Sequence, residues 1–288
     1  VLMLPVTIGL GLINFNLIIN SVLGSLVSEQ APRAIDAAFR IYMLPQGIFS
    51  VAIATVLFPA LSRLAARADR DGLRALNATG TRQIFLMLIP AAAFTLVLAE
   101  PITRLVYEHG DFGPADTDRV ASALFWFSFS LPFSGANLLL TRTFFSLQQP
   151  WTPTRIAVAS LLVNVVVSVA LYAPLGIPGI VLGTVVSTAA TTALQAWALR
   201  RELAGRLEAG RTAAAVARMT LAAALLGAVA WLLHRGLEEA LGTSVAAQAV
   251  AVGVALAGGV AAYAAAVLAL RVEEARYVHG LVARRLRR

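Results

Sequence analysis

Eight apolar segments constrain the fold of this 288-residue chain more strongly than any other feature. They fall at residues 4–27, 34–62, 82–104, 119–147, 154–173, 178–199, 214–234 and 244–270. Each is close to or longer than the ~20 residues that a helix needs to cross ~30 Å of hydrocarbon. Hydrophobic residues make up 59% of the chain and charged residues only 13%, whereas soluble domains are about half apolar and about a quarter charged. The sequence therefore predicts an all-α, polytopic membrane protein with eight transmembrane helices.

The connections between these segments alternate in charge. All 23 basic residues are Arg, and 18 of them lie on one side of the predicted bundle, against four on the other side: Arg33, Arg104, Arg119 and Arg235. The positive-inside rule assigns the Arg-rich side to the cytoplasm, so we expect both ends of the chain to be cytoplasmic. Merging two segments into one long or re-entrant helix is the alternative, and it would break the alternation.

The charge and the ends of the chain give further expectations. A net charge of +8 in so apolar a chain favours anionic membrane lipids as partners over nucleic acid. The chain opens at Val1 directly into an apolar segment without a visible signal peptide, so we interpret it as part of a longer polytopic protein. In the tail, apolar residues 278, 281, 282 and 286 share a helical face among Arg residues. This pattern fits an interfacial helix on an anionic leaflet or an ordinary stop signal.

Signals for catalysis are weak. The three His residues, His109, His234 and His279, are dispersed at predicted loops and helix ends, and no metalloprotease, phosphate-loop or nucleophilic-serine motif occurs. Nearly all the acidic residues lie in predicted connections, where charges are normally solvated. We therefore predict that the chain is not an enzyme and that it holds no cofactor apart from a candidate Na⁺.

Arg40 is the one charged side chain in the stretch "AAFRIYMLPQGIFSVAIATVLFPALS" at residues 37–62. It lies about six residues, or about 9 Å, inside the outer end of its predicted helix. Asp36 is one turn earlier on the same face, Pro45 can bend the helix, and Gly47 leaves space two turns further in. Arg40 either snorkels to the headgroups or pairs with Asp36, or it faces a water-filled cavity and binds an anion such as phosphate.

Uncharged polar residues form a second candidate group. Asn20 lies in the first segment, Asn164 and Ser168 lie one turn apart in the fifth, and Thr184 lies in the sixth. Such residues mostly hydrogen-bond one membrane helix to another. Their oxygens could instead converge on Na⁺, although no carboxylate accompanies them.

Four stretches of the chain resemble the MviN/MurJ lipid II flippases, which belong to the multidrug/oligosaccharidyl-lipid/polysaccharide exporter superfamily. "LIINSVLGSLV" and "AAFRIYMLPQGIFSVAIATVLFPALSR" resemble the seventh and eighth helices of that family. "LVYEHGDFGPADT" is similar to its outer loop between helices nine and ten, and "LLLTRTFFSLQQPWTPTRIA" to its "RxFYAxxDTxTP" segment. The resemblance covers essentially the whole chain and corresponds to the second half of a fourteen-helix protein.

This resemblance implies a function and a division of the chain. Such proteins move an undecaprenyl-diphosphate-linked peptidoglycan precursor, lipid II, across the bacterial inner membrane by alternating access between two lobes. Residues 1–203 would form the second lobe of six helices, 204–271 two additional helices with a lipid-tail groove, and 272–288 a basic cytoplasmic tail. The partners would be a lipid-linked diphosphate saccharide and the missing N-terminal lobe. Alternatives are another lipid-linked oligosaccharide or multidrug exporter of the superfamily, or a membrane scaffold without a transported ligand.

The resemblance also implies roles for particular residues. Arg40 stands at the position of the second lobe's cavity Arg, so Arg40, Asp36 and Gly47 are the expected substrate-binding residues. The Na⁺ site of some members falls here on the following residues, with a carbonyl near Ile180: Asn20, Asn164, Ser168 and Thr184.

This chain departs from the family's pattern at two of these places. The family often has an acidic residue before the cavity Arg, where this chain has Phe39, and Asp36 would replace it one turn earlier. The Na⁺-site carboxylates appear as Asn20 and Ser168, which leaves the coupling ion open.

Overall fold

A computed structural model describes residues 15–16, 18–203, 205, 208–242 and 244–275, and every element in those ranges is helical. The helices are α1 (Ile18–Val27), α2 (Ala31–Pro45), α3 (Ala52–Ala66), α4 (Arg70–Val97), α5 (Ala99–Tyr107), α6 (Pro114–Ser128), α7 (Leu131–Ser146), α8 (Trp151–Leu175), α9 (Ile177–Glu202), α10 (Ala209–Leu241) and α11 (Val245–Ala269). A π-helical segment, Gln46–Val51, joins α2 to α3. The predicted all-α class is confirmed.

The membrane spans match the predicted segments in part. Six helical stretches are long and apolar enough to cross a bilayer, with α2, the π-helical segment and α3 counted as one stretch, Ala31–Ala66. The α6–α7 pair, bent by 51°, makes a seventh if it is counted as one span. These stretches overlap the last seven predicted segments. The first predicted segment lies mostly outside the described residues, so the eighth span stays a prediction.

Two prolines lie where long apolar segments depart from one continuous α-helix. Pro45 ends α2 and cannot donate a backbone hydrogen bond, and the wider π-helical turn follows it at once. Pro132 lies in the first turn of α7, where the backbone N–H groups have no intrahelical partner. The predicted segment 119–147 is therefore two helices with a bend between them.

Helix α4 lies at the centre of the bundle. Its Ile84 and Leu88 are buried against Leu139 on α7. Its Leu86 is buried against Leu226 on α10. The α8–α9 and α10–α11 hairpins pack on opposite sides of this arrangement, through α7 and α4 respectively. Neighbouring side chains of α4 thus tie the two hairpins to one bundle.

A third cluster sets the orientation of α2. Ala34, Ala38 and Ile41 are buried together with Phe127 on α6 and Ile180 on α9. Because these α2 residues face the bundle, the opposite side of the helix is exposed. That exposed side carries Asp36, Arg40 and, further along, Gly47.

Candidate functional site

Arg40 and Asp36 form an ion pair on the exposed face of α2. The Arg40 Nε donates a hydrogen bond to Asp36 Oδ2 at 2.9 Å. The Arg40 side chain is 72% exposed and that of Asp36 is 54% exposed. Neither Nη group of Arg40 has a hydrogen bond within the described part of the chain. The guanidinium therefore keeps two donor groups available to a ligand, while its Nε is held by the carboxylate one turn earlier.

A groove of about 280 Å³ lies beside this pair, between α1 and α2. Its lining includes Asp36, Phe39 and Pro32 on α2, Asn20 on α1 and Phe127 on α6. Arg40 itself is not among the lining residues. Asp36 therefore contributes to the groove, and Arg40 is linked to it through the ion pair.

Gly47 lies in the π-helical segment two turns beyond Arg40. A Cβ atom added to it would meet no heavy atom within 4 Å. The open space that the sequence analysis expected here is present. It is wide enough for a larger side chain as well, so no tight contact requires glycine at this position.

The four uncharged candidate residues come together where α1, α8 and α9 meet. Asn164 Nδ2 donates to Thr184 Oγ1 at 3.1 Å, and Asn20 Nδ2 approaches the same oxygen at 3.4 Å. Ser168 Oγ donates to the carbonyl oxygen of Ile180 at 3.2 Å. Asn164 and Ser168 are fully buried and Asn20 is nearly so.

The local packing depends on glycine at two positions. A Cβ atom at Gly183 on α9 would clash with Ser168 Oγ and would lie 3.0 Å from the carbonyl oxygen of Asn164. A Cβ atom at Gly179, one turn earlier, would likewise clash with the backbone of Leu171 on α8. This Gly-x-x-x-Gly pattern lets α8 and α9 approach closely, as small residues do in other membrane helix pairs.

Two side-chain oxygens in this cluster have no partner. The Oδ1 atoms of Asn20 and Asn164 are buried and accept no hydrogen bond within the described part of the chain. A buried unsatisfied acceptor costs about 1–3 kcal/mol, so such atoms are rare without a purpose. Neutral amide, hydroxyl and carbonyl oxygens of this kind suit a hard monovalent cation. Across the described residues, no group of three or more His, Cys, Asp or Glu could hold a metal ion instead.

The structure also reveals a buried charge network that the sequence analysis missed. Arg82 on α4 is only 7% exposed; its Nε donates to Glu274, and its Nη1 donates to Glu208 at 2.9 Å. The expectation that charges in the connections are solvated was wrong for Glu274, because the chain turns back after α11 and buries that carboxylate against α4. The sequence signal for this network was the position of Arg82 at the edge of an apolar segment. Its partners could not be predicted from the sequence, because they lie more than 120 residues away.

The predicted interfacial helix of the basic tail lies outside the described residues, which end at residue 275. Its residues 278, 281, 282 and 286 are therefore without a structural description.

Comparisons with known proteins agree with the fold. Residues 1–252 match the family described as lipid II flippase MurJ. A probable lipid II flippase MurJ of Rhizobium meliloti is 34% identical over 187 residues, which are 65% of this chain and 35% of that protein. The corresponding protein of Vibrio cholerae is 28% identical over 272 residues, which are 94% of this chain and 51% of that protein. This chain spans between a third and about half of the length of these relatives.

A solved structure has the same fold. It is a lipid II flippase MurJ in an inward closed conformation, and it superposes with a TM-score of 0.73 at 18% sequence identity. The match covers 91% of this chain and 52% of that one. At this identity the likeness concerns the fold alone.

Proposed function

This chain belongs to the lipid II flippase MurJ family, and from that membership we propose that it is the part of a flippase that carries lipid II across the bacterial inner membrane. A diphosphate headgroup cannot enter hydrocarbon bare, because removing its hydration costs far more than a membrane protein can supply. A cationic, hydrated surface between two lobes replaces that hydration, while the lipid tail stays in the bilayer. The relatives that are 34% and 28% identical to parts of this chain are named probable lipid II flippases, which supports the proposal.

The geometry of Arg40 is the observation that supports this proposal. Asp36 accepts from Nε, and the Nη groups of this exposed side chain have no hydrogen bond within the described residues, so their donors are available. Arg binds phosphate through such a fork of parallel N–H groups, which a Lys ammonium cannot reproduce. Arg40 is the proposed diphosphate contact, Asp36 orients it, and Gly47 keeps the adjoining surface open.

The test is lipid II translocation by the complete gene product in the variants Arg40→Ala, Arg40→Lys and Arg119→Ala. We expect Arg40→Ala to lower the rate on the order of tenfold or more, since hydrogen bonds to a charged group are lost. Arg40→Lys keeps the charge but not the fork, and should recover only part of the rate. Arg119 pairs with Asp116 on its own helix at 2.9 Å and lies outside the site, so Arg119→Ala is the matched control.

Near-normal translocation by Arg40→Ala, with the protein present at the usual level in the membrane, would remove Arg40 from the substrate site. It would leave the pair with Asp36 as a surface feature of the helix. Equal losses in Arg40→Ala and Arg119→Ala would point to a general effect of charge on the fold.

The polar cluster at α1, α8 and α9 is the proposed Na⁺ site. Its support is the pair of buried, unpartnered Oδ1 atoms of Asn20 and Asn164, with Thr184, Ser168 and the Ile180 carbonyl beside them. Without a carboxylate the site is neutral, so its affinity for Na⁺ should be low. Na⁺ bound there would link α1 to the α8–α9 hairpin and so couple an ion gradient to the position of α1.

The division of the chain follows from the same membership. Residues 1–203 form the proposed second lobe, and 204–271 the proposed pair of additional helices beside it. The Arg-rich connections are assigned to the cytoplasm and the acidic ones to the outside, with eight spans and both ends of the chain inside. A first lobe is the proposed partner that completes the cavity next to Arg40.

A further inference from the structure

A second groove in the bundle has a volume of about 570 Å³. Its walls come from the end of α4, the start of α5, residues 118–125 of α6 and Trp231 on α10. It shares no residue with the groove beside Asp36 or with the polar cluster. It lies toward the end of the bundle that carries the acidic connections.

The polar part of this groove is acidic. Asp118 lines it, is exposed, and has no hydrogen bond or ion pair with any described residue. Glu100 also lines it and pairs with Arg104, but Arg104 is shared with Glu108 at 3.7 Å and Glu238 at 3.0 Å. One guanidinium thus serves three carboxylates, and Asp118 adds a fourth. The groove therefore presents an excess of negative charge and attracts a cation.

The remaining walls are apolar and aromatic. Phe125 on α6 and Trp231 on α10 line the groove together with Leu96 and Val97 at the end of α4. An ammonium group is attracted to aromatic faces as well as to carboxylates. The guanidinium of Arg235 lies 5.3 Å from the centre of the Trp231 ring, so it is close to the groove. Its Nε pairs with Glu239 at 3.3 Å, which leaves its Nη groups available to a ligand. An acidic recess, aromatic walls and a cation close to the groove match a headgroup with both an ammonium and a phosphate.

We propose that this groove binds a zwitterionic phospholipid whose headgroup carries an ammonium, with phosphatidylethanolamine as the simplest case. Asp118 accepts the ammonium, Arg235 meets the phosphate, and the acyl chains run along Leu96, Val97 and Phe125. A lipid with only a phosphate is disfavoured, because the unpaired carboxylate of Asp118 repels it. The orientation proposed above makes this a site for the outer leaflet, but the binding itself does not depend on that orientation.

The experiment measures the lipids retained by the purified complete gene product in native mass spectrometry. The probes are phosphatidylethanolamine, phosphatidylglycerol and N-acetylated phosphatidylethanolamine, each added at the same concentration to delipidated protein. We expect retention of phosphatidylethanolamine to exceed that of the other two by about tenfold, since one charged hydrogen bond distinguishes them. Equal retention of all three lipids by the wild-type protein would overturn the proposal.

Variants locate the site. Asp118→Asn should lose the preference for phosphatidylethanolamine, and Asp118→Lys should reverse it in favour of phosphatidylglycerol. Asp116→Asn is the matched control: it removes the same charge from the same helix, but Asp116 pairs with Arg119 and does not line the groove. Its preference should equal that of the wild type. A preference that survives in both Asp118 variants would place the lipid elsewhere and refute the assignment, whatever the outcome of the Arg40 experiment.

Discussion

At the scale of single residues, Thr184 explains why two amide oxygens of the polar cluster accept no hydrogen bond. Its one side-chain oxygen receives the amide N–H groups of both Asn20 and Asn164, so each amide satisfies a donor there. The two amide oxygens are then buried and accept no hydrogen bond from any described residue. Each has an energetic cost that a bound cation would offset, because a cation accepts lone pairs from several oxygens at once.

Asn20→Asp tests whether this cluster holds Na⁺. The substitution adds the carboxylate that the cluster lacks, so the variant should be less stable than wild type in choline chloride and should regain stability in NaCl of equal ionic strength. At a Na⁺ concentration of about 100 times the dissociation constant, the gain is about 2.7 kcal/mol. The measurement is the thermal unfolding midpoint of the purified protein in each salt.

Asn77→Asp is the control for that experiment. Asn77 is equally buried and donates to Thr143 Oγ1 at 2.7 Å, but it lies between α4 and α7, away from the cluster. It should lose stability in both salts alike. If Na⁺ stabilises both variants to the same extent, or neither, the polar cluster is only a set of hydrogen bonds between helices.

At the scale of helices, the α8–α9 hairpin depends on close contact more than on apolar area. Gly176 makes the turn with a φ of +63°, which residues with a Cβ rarely adopt. Gly179 and Gly183 then bring α9 against α8, and hydroxyls further along the same face continue the contact: Ser160 Oγ donates to the carbonyl of Ser187 at 2.9 Å. Lipid supplies no hydrophobic driving force between helices, so packing and hydrogen bonds of this kind hold the pair together.

Gly183→Ala should therefore destabilise the protein by about 1–3 kcal/mol, since the added methyl group overpacks the contact with Ser168. The matched control is Gly253→Ala in the exposed part of α11, where a Cβ would meet nothing within 4 Å. That variant should be neutral or slightly more stable, because Ala favours a helix over Gly by about 1 kcal/mol. Unfolding midpoints in detergent compare the two. Similar midpoints for both variants would show that the hairpin tolerates a wider separation.

At the scale of the whole molecule, two features tie distant parts of the chain to α4. Its apolar residues pack on α7 from one side and on α10 from the other. Near the middle of α4, Arg82 holds Glu208 before α10 and Glu274 after α11. Breaking a buried pair of this type costs about 3–5 kcal/mol, so the network fixes the α10–α11 hairpin to the rest of the bundle.

The proposed orientation can be tested directly because the chain contains no Cys. Single cysteines replace Ala66, exposed at the end of α3 before an Arg-rich connection, and Asp111, exposed in the acidic connection after α5. A membrane-impermeant maleimide added to intact cells should label Asp111→Cys and should label Ala66→Cys only after permeabilisation. The opposite pattern would invert the assignment of both faces, and labelling of both in intact cells would contradict a single span between them.

Much of this architecture follows from the amino-acid sequence, because hydrophobic length and loop charge are local properties. The apolar runs at 34–62 and 154–173 predict helices wherever they pack, since only a helix satisfies its own backbone within lipid. The ion pair of Arg40 with Asp36 was one of the expected alternatives for the same reason: residues four apart on a helix are neighbours.

Contacts between distant segments required the folded chain. Nothing near Glu274 in the sequence distinguishes it from the solvated acids, yet the return of the chain after α11 buries it against Arg82, 192 residues earlier. The sequence identifies Thr184 as a polar residue of a membrane helix, but its two amide donors, Asn20 and Asn164, lie 164 and 20 residues away. Only the packing of their helices brings these amides together and leaves their Oδ1 atoms without a hydrogen bond. The groove of Asp118 and Trp231 also arises only where α6 and α10 come together. Hydrophobicity decides that each segment becomes a helix, whereas the partners of each polar group depend on which helices pack against one another.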